Sequence, residues 1–316
     1  MTDSSLAFVF PGQGSQRTGM LKDAHARFAC VRDTFQQASD ALGYDLWALV
    51  SGDDQEALNL TETTQPVLLT SSVALWRAWQ SVGGAAPAMM AGHSLGEFSA
   101  LTCAGSFAFE DAVRLVRLRG EAMQNAVPVG EGAMAAVLGV EDADIERVCA
   151  EVTAAGSGIV EAVNYNAPGQ VVIAGERAAL DSAVAALKEA GARRVVPLPV
   201  SAPFHTTLMT PAGDRLRDAL AELPLQPPAI PVVHNVNAET ASDPALIRTL
   251  LVKQISSPVR WTDCVRAMAA AGVERVAECG PGKVLGGLNR RIDRALESWY
   301  LEAPADLCAL HAALAA

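Results

Sequence analysis

The sequence has no apolar run that could span a bilayer, which takes about 18 or more consecutive apolar residues, although 50% of its 316 residues are hydrophobic. No basic segment precedes the short apolar run Leu6–Phe10, so a secretory signal is not indicated either. The apolar content suffices for a full core, in one large domain or in a large domain with a smaller insert. We therefore expect a soluble, cytoplasmic protein without a membrane partner.

Paired cysteines are also missing. The six cysteines include no C-x-x-C pair and are scattered between Cys30 and Cys308. This spacing predicts neither a zinc site nor a disulfide framework, and we expect the thiols to be reduced. No metal and no cofactor are expected.

Basic residues are scarce, since 24 lysines and arginines stand against 35 aspartates and glutamates, for a formal net charge of -11. Nucleic-acid binding, which needs clustered positive charge, is therefore excluded. The same charge repels an acidic protein at long range. Such a partner must find a local basic patch.

A candidate nucleophile stands where an apolar run meets a glycine-rich turn. The run Ala88–Ala91 predicts a strand, the residues after the turn favour a helix, and Ser94 lies at the corner with Gly92 and Gly96 on either side. The glycines allow close backbone approach, and the amide of Leu95 is aimed at an oxyanion formed on the serine. This pattern predicts a nucleophile elbow. The alternative is a serine that only caps a helix.

Alternating strand and helix patterns predict an α/β fold with a mainly parallel sheet and helices on both faces. The first apolar run ends in a glycine-rich loop, Pro11–Gln16, which is typical of site-forming loops. A helix is expected to start at Thr63–Pro66, where threonines precede a proline. The other expected elements are a helix from Phe109, a strand at Val232–Asn235, a helix at Pro244–Gln254, a strand at Val273–Cys279 and one final helix after Gly280-Pro281-Gly282.

Residues 131–199 differ in pattern from the rest and predict a small inserted subdomain. Its order of elements, β-α-β-β-α-β, is that of a ferredoxin-like unit. Residues 1–130 and 200–316 are then an α/β-hydrolase-like main domain. The expected elements of the subdomain are Ala133–Val140, Asp142–Ala154, Ile159–Asn164, Gln170–Ala174, Ala178–Ala190 and Arg194–Leu198.

The sequence has five histidines as candidates for the base that a serine hydroxyl needs. His205 is favoured because it lies in a proline-bracketed loop and follows Ser94, the order of α/β-hydrolase-type sites. The alternative is a histidine that binds only carbonyls of its own loop. His93, beside the serine, is expected to point away and to pack in the turn.

Arg119 falls within the apolar stripe of the helix that begins at Phe109. A guanidinium keeps its charge in proteins, and burying it unpaired is costly. Two explanations stay open: a structural salt bridge, or a fork for a substrate carboxylate. Gln13 offers its amide as a second oxyanion donor or only forms a tight turn, and Gln254 orients His205 or a bound acid or only caps its helix.

Six short motifs occur in order between about residue 6 and about residue 290, with the subdomain in place. They are Phe10-Pro11-Gly12-Gln13-Gly14-Ser15-Gln16, Thr64-Gln65-Pro66, Gly92-His93-Ser94-Leu95-Gly96-Glu97-Phe98, Leu118-Arg119-Gly120, Ser201-Ala202-Pro203-Phe204-His205 and Gly280-Pro281-Gly282. Together they resemble the malonyl-CoA:acyl carrier protein transacylases of type II fatty acid synthesis.

The resemblance implies a ping-pong transfer with malonyl-CoA and acyl carrier protein as partners. We expect the protein to be a monomer. Ser94 attacks the thioester, His205 takes and later returns the proton, and the malonyl group passes to the phosphopantetheine thiol. The resemblance implies further roles around the serine. The amides of Gln13 and Leu95 form the oxyanion hole, Arg119 binds the malonyl carboxylate, and the main-chain carbonyl of Gln254 orients the histidine. Asn164 or Asn166 lines the cleft, and the bulk of Phe204 leaves little room for a methyl branch on the acyl group.

An acidic carrier protein, as the resemblance implies, needs a basic surface on this acidic chain. The densest basic patch follows Gly280-Pro281-Gly282 and consists of Lys283, Arg290, Arg291 and Arg294.

Three other functions fit part of the pattern. A serine hydrolase passes the acyl group to water, but a buried Arg119 argues against simple ester substrates. A second is an acyltransferase for another group, such as methylmalonyl or succinyl, or a stand-alone polyketide loading enzyme. A non-catalytic binding protein is the third, and the joint presence of Ser94, His205 and Arg119 argues against it.

Overall fold

The computed structural model describes residues 2–200 and 202–315, so Ser201 of the histidine-containing motif lies outside the described residues. The strands are β1 (Thr2–Phe10), β2 (Ala86–Gly92), β3 (Gly132–Leu138), β4 (Val160–Ala167), β5 (Gln170–Glu176), β6 (Arg194–Pro197), β7 (Val232–Val233), β8 (Arg275–Glu278) and β9 (Glu297–Tyr300). The helices are α1 (Lys22–Arg27), α2 (Ala29–Leu42), α3 (Leu46–Ser51), α4 (Gln55–Asn59), α5 (Thr61–Ser81), α6 (Leu95–Cys103), α7 (Phe109–Gln124), α8 (Asp142–Ala154), α9 (Arg177–Glu189), α10 (Thr210–Glu222), α11 (Pro244–Ile255), α12 (Trp261–Ala270), α13 (Val284–Ile292) and α14 (Pro304–Ala315).

The main sheet is parallel and runs in the order β7-β2-β1-β8-β9. Its central strand is buried on both faces, which explains the continuous apolar run in the sequence. Leu6, Phe8 and Phe10 pack into the core on one face, whereas Ala7 and Val9 pack into the core on the other. The chain is therefore an α/β protein with helices on both faces of a parallel sheet, as predicted.

A second sheet is antiparallel and runs in the order β4-β5-β3-β6. Helices α8 and α9 bury Ile145 and Leu180 against it, in a core of its own. All six elements expected between residues 131 and 199 are present, with ends that differ by a few residues. Strand β4 also meets the main body, where Val259 exchanges backbone hydrogen bonds with Val163 and Tyr165.

Several boundaries expected from the sequence are wrong. Helix α5 begins at Thr61, so Pro66 lies inside it and not in its first turn, and one hydrogen bond of the helix is missing there. Strand β7 has only two residues because the chain turns after Val233, where the amide of His234 binds the carbonyl of Glu239. The helix after Gly280-Pro281-Gly282 is not the last element, since β9 and α14 follow it.

Two further helices, α10 and α12, were not expected from the sequence, and they flank the segments that carry the site. Helix α10 packs against α7 and α11, and α12 packs against β4 and α13. Within the described part of the chain, none of the helices has the length and apolar character needed to cross a membrane.

Candidate active site

Ser94 lies in a strained turn between β2 and α6, with φ 52° and ψ −107°. A Cβ added to Gly92 would lie 1.9 Å from the carbonyl carbon of Gly96, and one added to Gly96 would lie 2.0 Å from the carbonyl oxygen of Phe10. Only glycine fits at either position. The serine side chain makes no capping hydrogen bond to the helix, which contradicts the helix-cap alternative.

Asn235 stabilises the elbow, because its side chain forms hydrogen bonds with both ends of the turn. Its Oδ1 accepts from the amide of Ser94 at 2.8 Å, and its Nδ2 donates to the carbonyl of Gly92 at 2.8 Å. The residue follows the short strand β7, which is next to β2 in the sheet. No sequence motif pointed to this asparagine.

His205 lies within reach of the serine, with Nε2 2.7 Å from Oγ of Ser94. Its Nδ1 donates to the main-chain carbonyl of Gln254 at 2.9 Å, so the contact leaves its own loop and the loop-only alternative is wrong. Burial, together with the cation of Arg119, lowers the pKa of His205 to about 3. The neutral ring with Nδ1 protonated presents a bare Nε2, which can accept the serine proton.

Arg119 is buried, with 1% of its surface exposed, and its guanidinium lies beside the serine. Nη2 donates to Oγ of Ser94 at 3.1 Å and to Oε1 of Gln254 at 2.9 Å, and Nη1 donates to Oε1 of Gln65 at 2.8 Å. Nε has no hydrogen-bond partner. Burial lowers the pKa of Arg119 to about 9, and the charge of Glu97 opposes this shift.

The described residues place no carboxylate within 4.0 Å of this guanidinium, so the explanation by a structural salt bridge fails there. The partners of the guanidinium are instead the uncharged side chains of Gln65, Ser94 and Gln254. Gln65, which binds the guanidinium, belongs to the motif Thr64-Gln65-Pro66 on α5, and its polar character on that apolar helix was the available signal for a site residue.

The side chain of Gln254 does not cap the end of α11 but connects three parts of the site. Its Oε1 accepts from Arg119, as described above. Its Nε2 donates to the carbonyl of Ser94 at 3.0 Å and to Oε2 of Glu97 at 2.8 Å. Its own carbonyl holds His205. One residue thus contacts the nucleophile, the histidine and the buried cation.

A cavity of about 100 Å³ opens onto Ser94, Arg119 and His205. Of the other predicted residues, four line it. Gln254 and Asn166 do not, and Oδ1 of Asn166 lies 2.8 Å from Nε2 of His93. His93 also borders the cavity, and its ring packs against Trp261 with the ring centroids 5.8 Å apart. The complete lining is Gln13, Gln65, His93, Ser94, Leu95, Arg119, Met123, Met134, Asn164, Leu198, Val200, Phe204 and His205.

The cavity walls combine apolar and polar groups in a pattern suited to an acyl chain with a polar end. Oδ1 of Asn164 is buried there without a hydrogen-bond partner. Phe204, immediately before the histidine, is 8% exposed and adds bulk. Across the described residues, no group of three or more histidine, cysteine or acidic side chains is arranged to hold a metal ion.

The sequence matches the acyl transferase domain family over residues 7–298. It is 54% identical over 306 residues to a malonyl CoA-acyl carrier protein transacylase of Salmonella typhimurium, covering 97% of this chain and 98% of that protein. A crystal structure of malonyl-CoA:acyl carrier protein transacylase from Xanthomonas oryzae pv. oryzae is 52% identical, with a TM-score of 0.96 and 99% of both chains covered.

A third similar protein is a malonyl-transacylase in complex with a type II polyketide synthase acyl-carrier protein. It is 50% identical, with a TM-score of 0.96, and the match covers 98% of this chain and 99% of that chain. The chain therefore belongs to the acyl transferase family and, within it, to the malonyl CoA-acyl carrier protein transacylases.

Proposed function

We propose that the protein transfers the malonyl group of malonyl-CoA to the phosphopantetheine thiol of an acyl carrier protein, through an ester on Ser94. One observation carries this proposal: a buried arginine without a carboxylate partner among the described residues lies 3.1 Å from the nucleophile. A cation fixed at that position favours an acyl group that ends in a carboxylate. Relatives named malonyl CoA-acyl carrier protein transacylase identify that group as malonyl.

In the first half-reaction Oγ of Ser94 attacks the thioester carbon while Nε2 of His205 accepts its proton. The tetrahedral oxyanion is bound by the amides of Gln13 and Leu95. The carbon–sulfur bond then breaks, and the imidazolium returns the proton to the thiolate of CoA. This assignment is supported by the 2.7 Å contact of Ser94 with His205, and by the place of Gln13 and Leu95 on the cavity wall.

Arg119 binds the malonyl carboxylate in the acyl-enzyme. Its Nε–H is unpartnered, and the neighbouring Nη2–H, which now donates to Oγ of Ser94, is released when that oxygen is esterified. The two N–H groups lie on one edge of the guanidinium and can bind both carboxylate oxygens. Phe204 narrows the cavity against a methyl branch, and Asn164 offers its unpartnered Oδ1 to an N–H of the pantetheine arm.

In the second half-reaction the thiol of the carrier protein attacks the serine ester, with His205 as base. The acidic chain needs a basic surface for an acidic carrier. We assign docking to the exposed patch of Arg290, Arg291 and Arg294 with Lys283. Arg291 binds Oε1 of Gln170, which connects the patch to the smaller sheet.

We further propose that the chain consists of an α/β-hydrolase-like domain and a ferredoxin-like insert. Residues 131–199 form a ferredoxin-like insert, because the strand order β4-β5-β3-β6 and the two helices on one core fit that unit. Residues 1–130 and 200–316 form an α/β-hydrolase-like domain, on the basis of the parallel sheet and its nucleophile elbow. A monomeric state and a cytoplasmic location stay predictions.

Intact-mass measurement tests the function. Incubation with malonyl-CoA should add one malonyl group, mapped to the peptide that contains Ser94, and Ser94→Ala should take up none. Addition of phosphopantetheinylated carrier protein should move the group to the carrier faster than water removes it. Labelling at Cys103, or faster hydrolysis than transfer, would contradict the proposal, and the second result would favour a serine hydrolase.

A further inference from the structure

Glu97 is a fully buried carboxylate beneath the elbow, and the reaction described above does not use it. It is the third residue of α6, near the positive end of that helix. Its Oε2 accepts from the amide of Asn235 at 2.9 Å and from Nε2 of Gln254 at 2.8 Å. Its Oε1 lies 2.7 Å from Nδ1 of His234.

These contacts suit the carboxylate form of Glu97, which only accepts hydrogen bonds. The partners on Oε2 are both N–H donors, so that oxygen bears no proton. His234 has no exposed surface, and its Nε2 has no hydrogen-bond partner. The tautomer that carries its proton on Nδ1 leaves no N–H of the ring unpaired and donates to Oε1 of Glu97. The histidine therefore does not neutralise the carboxylate.

The nearest buried cation is linked to this carboxylate through one amide group. Nη2 of Arg119 donates to Oε1 of Gln254, and Nε2 of the same amide donates to Glu97. A carboxylate only accepts hydrogen bonds, so it fixes the nitrogen of Gln254 toward itself and the oxygen toward the arginine. The carboxylate therefore orients the amide of Gln254, and its charge acts on the guanidinium through space.

We propose that Glu97 is the buried counter-ion of Arg119, and that it limits how tightly the cation holds a malonyl carboxylate. The inference rests on the function proposed above. In the free enzyme Glu97 compensates the arginine without contacting it. In the malonyl-enzyme two anions share one cation, and their repulsion weakens the malonyl-serine and favours its transfer. An acetyl group is uncharged, so the carboxylate of Glu97 does not repel it.

Glu97→Gln separates this charge from geometry. The amide oxygen can take the place of Oε2 and keep both N–H donors, while the amide nitrogen donates to Nδ1 of the other histidine tautomer. That tautomer leaves the Nε2–H of His234 without a partner, and the resulting loss of stability is common to both acyl groups and cancels in their ratio. The equilibrium constant for acylation is measured by intact mass, with malonyl-CoA and CoA at a fixed ratio and then with acetyl-CoA and CoA. We expect the ratio of the malonyl to the acetyl constant to rise roughly three- to tenfold.

The matched control is Glu278→Gln, which removes another buried carboxylate, one that accepts from the amides of Leu285 and Gly286. It should leave the ratio unchanged. An unchanged or lower ratio in Glu97→Gln overturns the inference, because a role in folding alone affects both acyl groups equally. Absence of malonylation in the unaltered enzyme would instead overturn the proposed function.

A double-variant cycle covers the case in which Glu97→Gln folds poorly. The melting temperatures of Glu97→Gln, Arg119→Gln and the combined variant are compared with that of the unaltered enzyme. If the two charges form a pair, the melting temperature of the combined variant should fall by less than the sum of the two single decreases. Alternatively, the combined variant should fold where Glu97→Gln does not. Additive losses, or a combined variant that fails to fold while Arg119→Gln folds, overturn the pairing.

Discussion

Nδ1 of His205 donates to the main-chain carbonyl of Gln254 at 2.9 Å, in the position that a carboxylate occupies in Ser-His-Asp sites. A carbonyl fixes the tautomer of the ring but adds no full negative charge to stabilise the imidazolium. Burial and the neighbouring arginine further disfavour the charged ring. The proton taken from the serine is therefore held weakly, which suits its return to a thiolate leaving group.

We predict that the rate of serine acylation stays constant from about pH 8 down to about pH 5.5. The pKa of His205 is lowered from 6.5 to about 3, so the base stays neutral over this range. Because the folded-state pKa is depressed, the associated stability is present above pH 6.5 and is lost as the pH falls toward the folded value. Quenched-flow mass measurement with acetyl-CoA, whose acyl group does not ionise, tests the rate; a loss with a midpoint near pH 6.5 would contradict the prediction.

We predict that Gly96→Ala disrupts the elbow. The new Cβ would lie 2.0 Å from the carbonyl oxygen of Phe10, so the strand or the helix must shift, at a cost of about 1–3 kcal/mol or more. Both the melting temperature and the acylation of Ser94 should fall. The matched control is Gly287→Ala on α13, where an added Cβ meets nothing within 4 Å, and it should keep stability and acylation. Equal behaviour of the two variants would show that close approach at the elbow is unimportant.

The elbow and the buried arginine could be predicted because their signals are local. A strand, a helix and two glycines around Ser94 lie within a short stretch, and β2 and α6 occur where that stretch places them. The helical period places Arg119 among apolar neighbours on α7, and it is 1% exposed.

The network beneath the elbow could not be predicted because its members are distant in sequence. Gln254 contacts Arg119 across 135 positions and Glu97 across 157 positions. Neither periodicity nor a motif reports such contacts. Strand β9 gives no sequence signal for a different reason: it has four residues, none of them fully buried, so neither an apolar run nor clear alternation marks it.

We predict that reversing Arg290 and Arg291 to glutamate raises KM for carrier protein and leaves the malonyl-CoA half-reaction intact. Both arginines are exposed, so the effect should arise from long-range attraction and should shrink as salt is added. The control reverses the exposed pair Arg215 and Arg217 on α10, which makes the same change in net charge. Equal increases in KM from both reversals would mean that net charge acts and that the patch is not the docking surface.

We predict that Arg119→Ala depresses malonyl transfer and narrows or inverts the preference for malonyl over acetyl, without unfolding the protein. A charge-assisted hydrogen bond to the carboxylate contributes about 1.5–3 kcal/mol, which corresponds to a loss of roughly ten- to a hundredfold or more. Arg119→Lys should restore only part of the preference, because an ammonium cannot bind both carboxylate oxygens along one planar edge. The measurement is kcat/KM for malonyl-CoA and acetyl-CoA, with the melting temperature of each variant. If Arg119→Ala loses several kcal/mol of folding stability while the ratio of the two kcat/KM values is unchanged, the arginine is structural and does not recognise malonyl.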